Sequence, residues 1–371
     1  MIKEFEIHNF RQYKKVYFKD LGKINLFLGN NNTGKTSILE AIAAFSYGEN
    51  VNNLIVDSLL RSKELYSAYD FMERIMSSFN NQNEKPFNFS FKATLEDNKT
   101  HTIQHQLDPG PIFADFKPNL LKSFGDSSIR LSKDTSENLI RKNSTIGNWT
   151  VIHNEEEKNL GFLDFPPSNE NLRAPNLLNT RFVDILTHRE VEENLKIYSF
   201  LKREGIMSDF VKELSRTFTD ILDIDSIPYP DGTPSPVSFK SHTRGLLPMY
   251  NFGDGMQRWY NILGGLILIQ NAIHCIEEVD STFHPNSQKE LAKNLVKYAN
   301  KYNNQLFMTS HSIEFVDNLL ESLYGEDSDM ENDEVRVITL KYDEKTGTVK
   351  SRVLTGKEAF ESRENYQLEL R

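Results

Sequence analysis

The chain has 371 residues, 38% hydrophobic and 26% charged, with 43 Lys and Arg against 53 Asp and Glu for a formal net charge of −10. That balance excludes a disordered, collagen-like or helical membrane protein and predicts a globular one with one sizeable core plus an appendage. The longest apolar stretch, residues 262–273, is interrupted by Gly264, Gly265, Gln270 and Asn271 and falls short of the roughly 20 residues that cross a bilayer. Residues 1–7 alternate apolar and charged side chains rather than forming a secretory signal. The single cysteine, Cys275, excludes an intramolecular disulfide or a multi-cysteine metal site and is expected to be a small buried apolar residue. A cytoplasmic protein is predicted, and its acidic balance counts against a nucleic-acid backbone as partner.

In chain order, short strands are predicted at residues 2–8 and 16–18, then a buried strand at 24–28, a glycine-rich turn, and a helix whose Ile38, Leu39, Ile42 and Phe45 share one face. From about residue 50 to 179 the texture becomes rich in Asn, Ser and Lys and reads as an inserted subdomain or lid, with a strand-like alternation at 87–91 and a turn at 108–111. Its middle, 141–170, is polar enough that no fold is expected there. Helical patterning returns at 190–222, followed by a loop at 229–236. Helices are predicted at 262–273, 287–299 and 313–323, strands at 275–276 and 305–309, and a terminal hairpin at 335–342 and 350–354. The acids between 326 and 334 read as a solvated loop. Alternating strand and helix predicts a mostly parallel α/β sheet.

Four motifs carry chemistry. Gly29-Asn30-Asn31-Asn32-Thr33-Gly34-Lys35-Thr36 matches G-x-x-x-x-G-K-[ST] between a predicted strand and an amphipathic helix. Glycines let such a loop curl its N–H groups around phosphate oxygens, Lys35 reaches the β/γ-phosphates, and the Thr36 hydroxyl binds magnesium. Glu277 and Glu278 close an apolar strand; the first is read as holding magnesium through its water shell and the second as polarising the attacking water. His311 follows another apolar strand, where it faces the crevice in which ligands of parallel sheets bind. The fourth, residues 251–258, is by itself a glycine turn leading into a helix.

Together and in this order, these elements resemble the ABC-type ATPase heads of the RecF, SMC and OLD-nuclease group. They are most similar to the small stand-alone AAA-family ATPases of bacterial and archaeal genomes, many of them in antiphage defence operons. The opening Ile7-His8-Asn9-Phe10-Arg11 is similar to the group's I-x-N-F-R start, which implies that Arg11 approaches the nucleotide. Residues 29–36 and the following Ser37 match its Walker A loop, and residues 276–285 its Walker B and D-loop segment. Gly253, Asp254 and Gly255 stand where the group carries its signature, which in a head-to-tail dimer caps the γ-phosphate held by the other subunit; Thr309-Ser310-His311-Ser312 matches its switch histidine. Two departures stand out. Glu277 occupies the usual Walker B aspartate position, as in OLD-like members. Gly253 replaces the signature serine, which leaves backbone N–H groups to make the contact and implies slow hydrolysis. The spacing of Gln104 and Gln106 does not identify a Q-loop glutamine.

The resemblance implies an α/β P-loop NTPase fold: an ABC-ATPase-like head with a mostly parallel central sheet, an antiparallel β portion and an inserted α/β or helical subdomain. The expected division is a head split over 1–50 and 180–371 around an insertion at 51–179, partly flexible near 141–170. It further implies ATP and Mg2+ as cofactors, a homodimer or higher oligomer through the nucleotide sites, no membrane partner, and a separately encoded effector, a nuclease, as the receiver of the ATP signal. No sustained heptads separate Thr36 from Gly253, and the residues after 323 are too few for the toprim domain of an OLD nuclease. The alternative is a RecF- or SMC-like DNA-end or DNA-repair ATPase that binds DNA directly.

Overall fold

The computed structural model describes residues 1–30, 33–55, 68–80, 85–110, 144–165, 173–231, 233, 235–324, 334–343 and 348–366. Its strands, in chain order, are β1 (Ile2–Phe10), β2 (Tyr13–Phe18), β3 (Ile24–Gly29), β4 (Phe87–Leu95), β5 (Thr100–Pro109), β6 (Ser144–His153), β7 (Glu156–Phe165), β8 (Thr180–Val183), β9 (Ile221–Asp225), β10 (Ser238–Ser241), β11 (Gly245–Pro248), β12 (Ile273–Ile276), β13 (Gln305–Thr309), β14 (Val335–Asp343) and β15 (Thr348–Thr355). They fall in two compact units. The first comprises Met1–Leu21, Glu40–Leu178 and Tyr342–Lys350, the second Gly22–Leu39, Asn179–Lys341 and Ser351–Arg371.

In the first unit β2, β1, β4, β5, β6 and β7 form one six-stranded sheet in that order, antiparallel at every pairing. Alternate residues turn inward: Phe87, Phe89, Phe91 and Ala93 of β4 are buried while Asn88 and Ser90 between them are only partly so, the period of a sheet with one covered face. Phe89 packs within 5.2 Å, centroid to centroid, of Phe10 and Phe79, and 5.1 Å from His105. Two expectations need correction here. The antiparallel register of β1 on β4, Phe5 opposite Ala93 and Ile7 opposite Phe91, carries the N-terminal strands into the unit that holds the inserted residues, so the units do not divide at residue 50, whereas the expected boundary at 179–180 lies within one residue of the division between Leu178 and Asn179. Residues 144–165, expected to lack structure, form the β6–β7 hairpin; Trp149, Val151, Leu160 and Leu163 are its buried apolar contribution.

In the second unit β14, β3, β13, β12 and β8 are mutually parallel in that order, with β15 at the β14 edge. Every residue of β3, β12 and β13 is buried, as in a parallel sheet covered on both faces. A separate three-stranded antiparallel sheet runs β11, β10, β9. The helical stretch expected at 190–222 is two helices, Val191–Arg203 and Met207–Thr217, parted at Gly205, whose φ of 69° suits glycine. The helix expected at 262–273 runs instead from Asp254 to Leu268, and Ile273 opens β12, paired in parallel with Thr180 and Gln305. Cys275 is buried in β12, where burial pushes its thiol up. A closing helix, Gly356–Tyr366, was not expected. Pro111 and the acids at 326–333 lie outside the described residues.

Two histidines set an acid limit. Burial holds His105 and His274 down to about 3, with Arg181 adding to the effect on His274. Both are neutral when folded, whereas an unfolded histidine takes a proton near pH 6.5. Their contribution is therefore intact above about pH 6.5 and is lost as the pH falls toward 3, by up to about 1.4 kcal/mol per pH unit for each. Guanidinium unfolding at pH 7.5, 6 and 5, above the range of most carboxylates, should show this decline. His105→Gln, which keeps an acceptor for Trp149 Nε1, should flatten it, and a wild-type profile level from 7.5 to 5 contradicts the assignment.

Candidate functional site

Parallel register brings four strand ends to one edge. Ile276 lies opposite both Val183 and Met308, and Thr309 lies opposite Phe27, two residues before Gly29. The glycine loop, the acid pair and His311 each begin where β3, β12 and β13 stop, at the carboxyl edge where α/β sheets bind ligands.

The loop needs its glycines. Gly29 has φ 146°, and a Cβ there would stand 2.6 Å from the Leu340 carbonyl oxygen; Gly34 has φ 87°. Thr33 closes the turn by donating to the Asn30 carbonyl from N (3.3 Å) and Oγ1 (2.8 Å). Lys35, only 6% exposed, donates from Nζ to the carbonyls of Gly29 (2.7 Å) and Asn30 (3.1 Å). Burial lowers its pKa, while Glu278 and Asp280 oppose the shift. Ser37 is buried in the helix Lys35–Tyr47, and Asn31 and Asn32 lie outside the described residues.

Thr36 Oγ1 donates to Glu277 Oε1 at 2.5 Å. The two residues read as holding a metal are thus in direct contact, although 241 positions apart. They offer hard oxygen donors, the type magnesium takes. Among the described residues no group of three or more His, Cys, Asp or Glu forms a metal cage; a phosphate-bound magnesium needs only one or two protein ligands besides water and phosphate. Glu278 comes next, with φ 44° in the left-handed region that non-glycine residues avoid. Its side chain is 44% exposed, and Oε1 lies 4.0 Å from Nε2 of His311.

Gly253 caps the helix Asp254–Leu268 with an ordinary φ of −61°, and a Cβ there would meet nothing within 4 Å. A Cβ on Gly255 would stand 2.7 Å from the Thr282 carbonyl oxygen. Asp254 is gripped by Arg189 Nη2 at 2.7 Å and lies 3.4 Å from Nε2 of the buried His188; Arg189 chiefly holds its carboxyl below the usual range. Arg11 belongs to the first unit, where it ion-pairs with Glu40. Gln104 faces Ser90 and Ile152 across its strand neighbours.

Sequence reasoning missed Arg258. It is wholly buried and donates to three carbonyls: Asp184 from Nη1 (3.2 Å), and Glu277 (2.5 Å) and Glu278 (3.1 Å) from Nη2. Burial lowers its pKa against the pull of Asp184, Glu278, Asp280 and Glu277. The available signal was a charged residue beside Trp259 and Tyr260 on a helix whose remaining residues to Leu268 are apolar or glycine apart from Asn261.

The two glycines should respond differently to substitution. Gly253→Ser should be tolerated and gain a few tenths of a kcal/mol as a better N-cap. Gly255→Ala, forced against the Thr282 carbonyl, should cost about 1–3 kcal/mol. Thermal unfolding of the two variants checks this, and equal melting temperatures contradict it.

A family profile described as "AAA domain, putative AbiEii toxin, Type IV TA system" matches residues 24–317. An "ATP/GTP phosphatase" of Helicobacter pylori is 22% identical over 333 residues, 85% of this chain and 87% of its own. The "DNA replication and repair protein RecF" of Clostridioides difficile is 36% identical over 72 residues, 19% of each chain. Among solved structures, an SMC head bound to the C-winged helix domain of ScpA superposes with a TM-score of 0.53 at 14% identity, covering 97% of this chain and 99% of that one. An SMC head with an extended coiled coil, bound to the C-terminal domain of ScpA derived from Pyrococcus furiosus, gives 0.50 at 13% identity and 99% of both. These two likenesses are of fold. With the profile spanning most of the chain, from β3 through the glycine loop and acid pair to the residues after His311, the chain belongs to this AAA family and is an ATPase, with a fold like that of SMC heads.

Proposed function

We propose that the chain hydrolyses Mg–ATP in the 29–36 loop and uses the cycle to close and open a head-to-tail dimer that controls a separately encoded effector. The observation that carries this reading is the contact of Thr36 Oγ1 with Glu277 Oε1, with Glu278 next in the chain and His311 4.0 Å from it. Magnesium bound there would draw charge from the β- and γ-phosphates. Thr36 and Glu277 would hold it, Glu277 through the water shell. Lys35 would exchange the Gly29 and Asn30 carbonyls for phosphate oxygens, a pairing of opposite charges and so a stronger bond, and on the family resemblance residues 30–37 would supply backbone N–H groups to the phosphates. Glu278 would take the proton of the attacking water, and His311 would orient that water or meet the γ-phosphate. Arg11 is assigned to nucleotide binding on the resemblance alone.

The 253–255 turn supports the dimeric part of this reading. Gly253, Asp254 and Gly255 begin a 15-residue helix whose N-terminus carries partial positive charge, and Arg189 offsets the charge of Asp254. That end can meet the γ-phosphate of a nucleotide held by a second copy. Lacking a serine hydroxyl, it would do so through backbone N–H groups, consistent with slow turnover. For the effector, the SMC heads of similar fold were each solved with a segment of ScpA bound. A nuclease effector and a place in antiphage defence rest on the family resemblance. The net charge of −10 counts against direct DNA clamping.

Glu278→Gln should lower kcat by about 10²–10⁴-fold while ATP still binds, and should accumulate an ATP-dependent dimer on size-exclusion chromatography. Lys35→Ala should lose ATP binding. A Glu278→Gln protein that stays monomeric with ATP and magnesium contradicts the switch.

A further inference from the structure

Glu278 combines a strained backbone with an exposed functional group, and its surroundings suggest how that geometry is kept. The φ of Glu278 is set by the peptide plane before its Cα, which carries the Glu277 carbonyl and the Glu278 N–H. Its ψ is set by the plane after, which carries the Glu278 carbonyl and the Val279 N–H. Both planes are held at both edges. On the carbonyl edges Arg258 Nη2 donates to Glu277 O (2.5 Å) and Glu278 O (3.1 Å). On the amide edges the Glu278 N–H donates to Thr309 Oγ1 (2.8 Å) and the Val279 N–H to Thr309 O (2.9 Å). Two residues, one from the helix behind the 253–255 turn and one ending β13, thus fix both torsions of one glutamate.

We propose that Arg258 and Thr309 are positioning residues for ATP hydrolysis, clamping the two peptide planes around Glu278 so that its carboxylate is held toward His311 and the attacking water. This rests on the reading of Glu278 as the base. Stability alone does not account for Arg258. It is 0% exposed, makes no hydrogen bond to a carboxylate among the described residues, and is followed by Trp259 and Tyr260, also 0% exposed; a buried guanidinium is expensive where an apolar side chain would pack. A left-handed glutamate persists only where its neighbours over-determine it. Through Arg258 the helix that starts at Asp254 and the acid pair also become one piece, so an event at the 253–255 turn would be felt at Glu278.

Steady-state kinetics with ATP and magnesium test this. Thr309→Val keeps the volume and the backbone bond to Val279 and removes only the hydroxyl. It should lower kcat about 10–100-fold, the scale of a misplaced reacting group, while the KM for ATP and the binding of a fluorescent ATP analogue stay within about twofold. Thr309→Ser, which restores a hydroxyl, should return kcat to within about threefold of wild type. Arg258→Lys keeps the charge with fewer aligned donors and should show the same split of kcat from KM. Added to Glu278→Gln, Thr309→Val should lower the residual rate no further, because no base remains to be aimed. If Thr309→Val and Arg258→Lys keep wild-type kcat while Glu278→Gln is inactive, the positioning proposal is overturned alone. If Glu278→Gln itself keeps wild-type kcat, the assignment of the base fails, and with it the reading on which the proposal rests.

Discussion

Main-chain hydrogen bonds that pair β3 with β13 and β13 with β12 in parallel hold three strand ends at one edge of the sheet, and each functional segment leaves from one of those ends. The loop follows β3, the acid pair follows β12, and Ser310 and His311 follow β13. Two cross-links tighten the arrangement: Ser310 N–H donates to the Phe27 carbonyl at 3.2 Å, and Glu277 N–H to the Val183 carbonyl at 2.9 Å. The 2.5 Å contact between Thr36 and Glu277 is thus fixed by the sheet rather than by flexible side chains finding each other. A one-residue slip of β12 against β13 would turn each of its side chains to the opposite face.

The site balances charge in a confined space. Lys35 and Arg258 are buried cations whose hydrogen bonds go to carbonyl oxygens. Their charge is answered at longer range: Glu278 and Asp280 support Lys35, and these two with Asp184 and Glu277 support Arg258. Carbonyl partners keep both cations in place without neutralising them, so Lys35 retains its full charge for an incoming phosphate. The left-handed backbone of Glu278 costs roughly 1–3 kcal/mol, which hydrogen bonds of about 1 kcal/mol each can offset when four converge on its two peptide planes.

How much of this was legible in the sequence depended on distance along the chain. The 29–36 loop was legible because strand, glycine turn and helix are contiguous, and the geometry demands Gly29 and Gly34 on local grounds. Glu277, Glu278 and His311 were legible because each directly follows a short apolar run that forms a buried strand. The pairing of β1 with β4 was not, because it joins residues about 90 positions apart and leaves no local mark. The β6–β7 hairpin was hidden by its polar face, with two register shifts breaking the alternation that would have exposed it. Arg258 was hidden for a related reason: its partners are backbone carbonyls 19, 20 and 74 positions away, and a carbonyl has no side-chain signature.

The central claim is that Thr36 and Glu277, brought together by the parallel sheet, hold one metal ion beside the phosphates. Electron paramagnetic resonance with Mn2+ in place of magnesium reads this directly, titrated into protein saturated with a non-hydrolysable ATP analogue. The account predicts one tightly bound Mn2+ per chain, weakened at least about 10-fold by Glu277→Ala and by Thr36→Val, with metal-free binding of the analogue unchanged. Mn2+ affinity that is the same in wild type and both variants would contradict it.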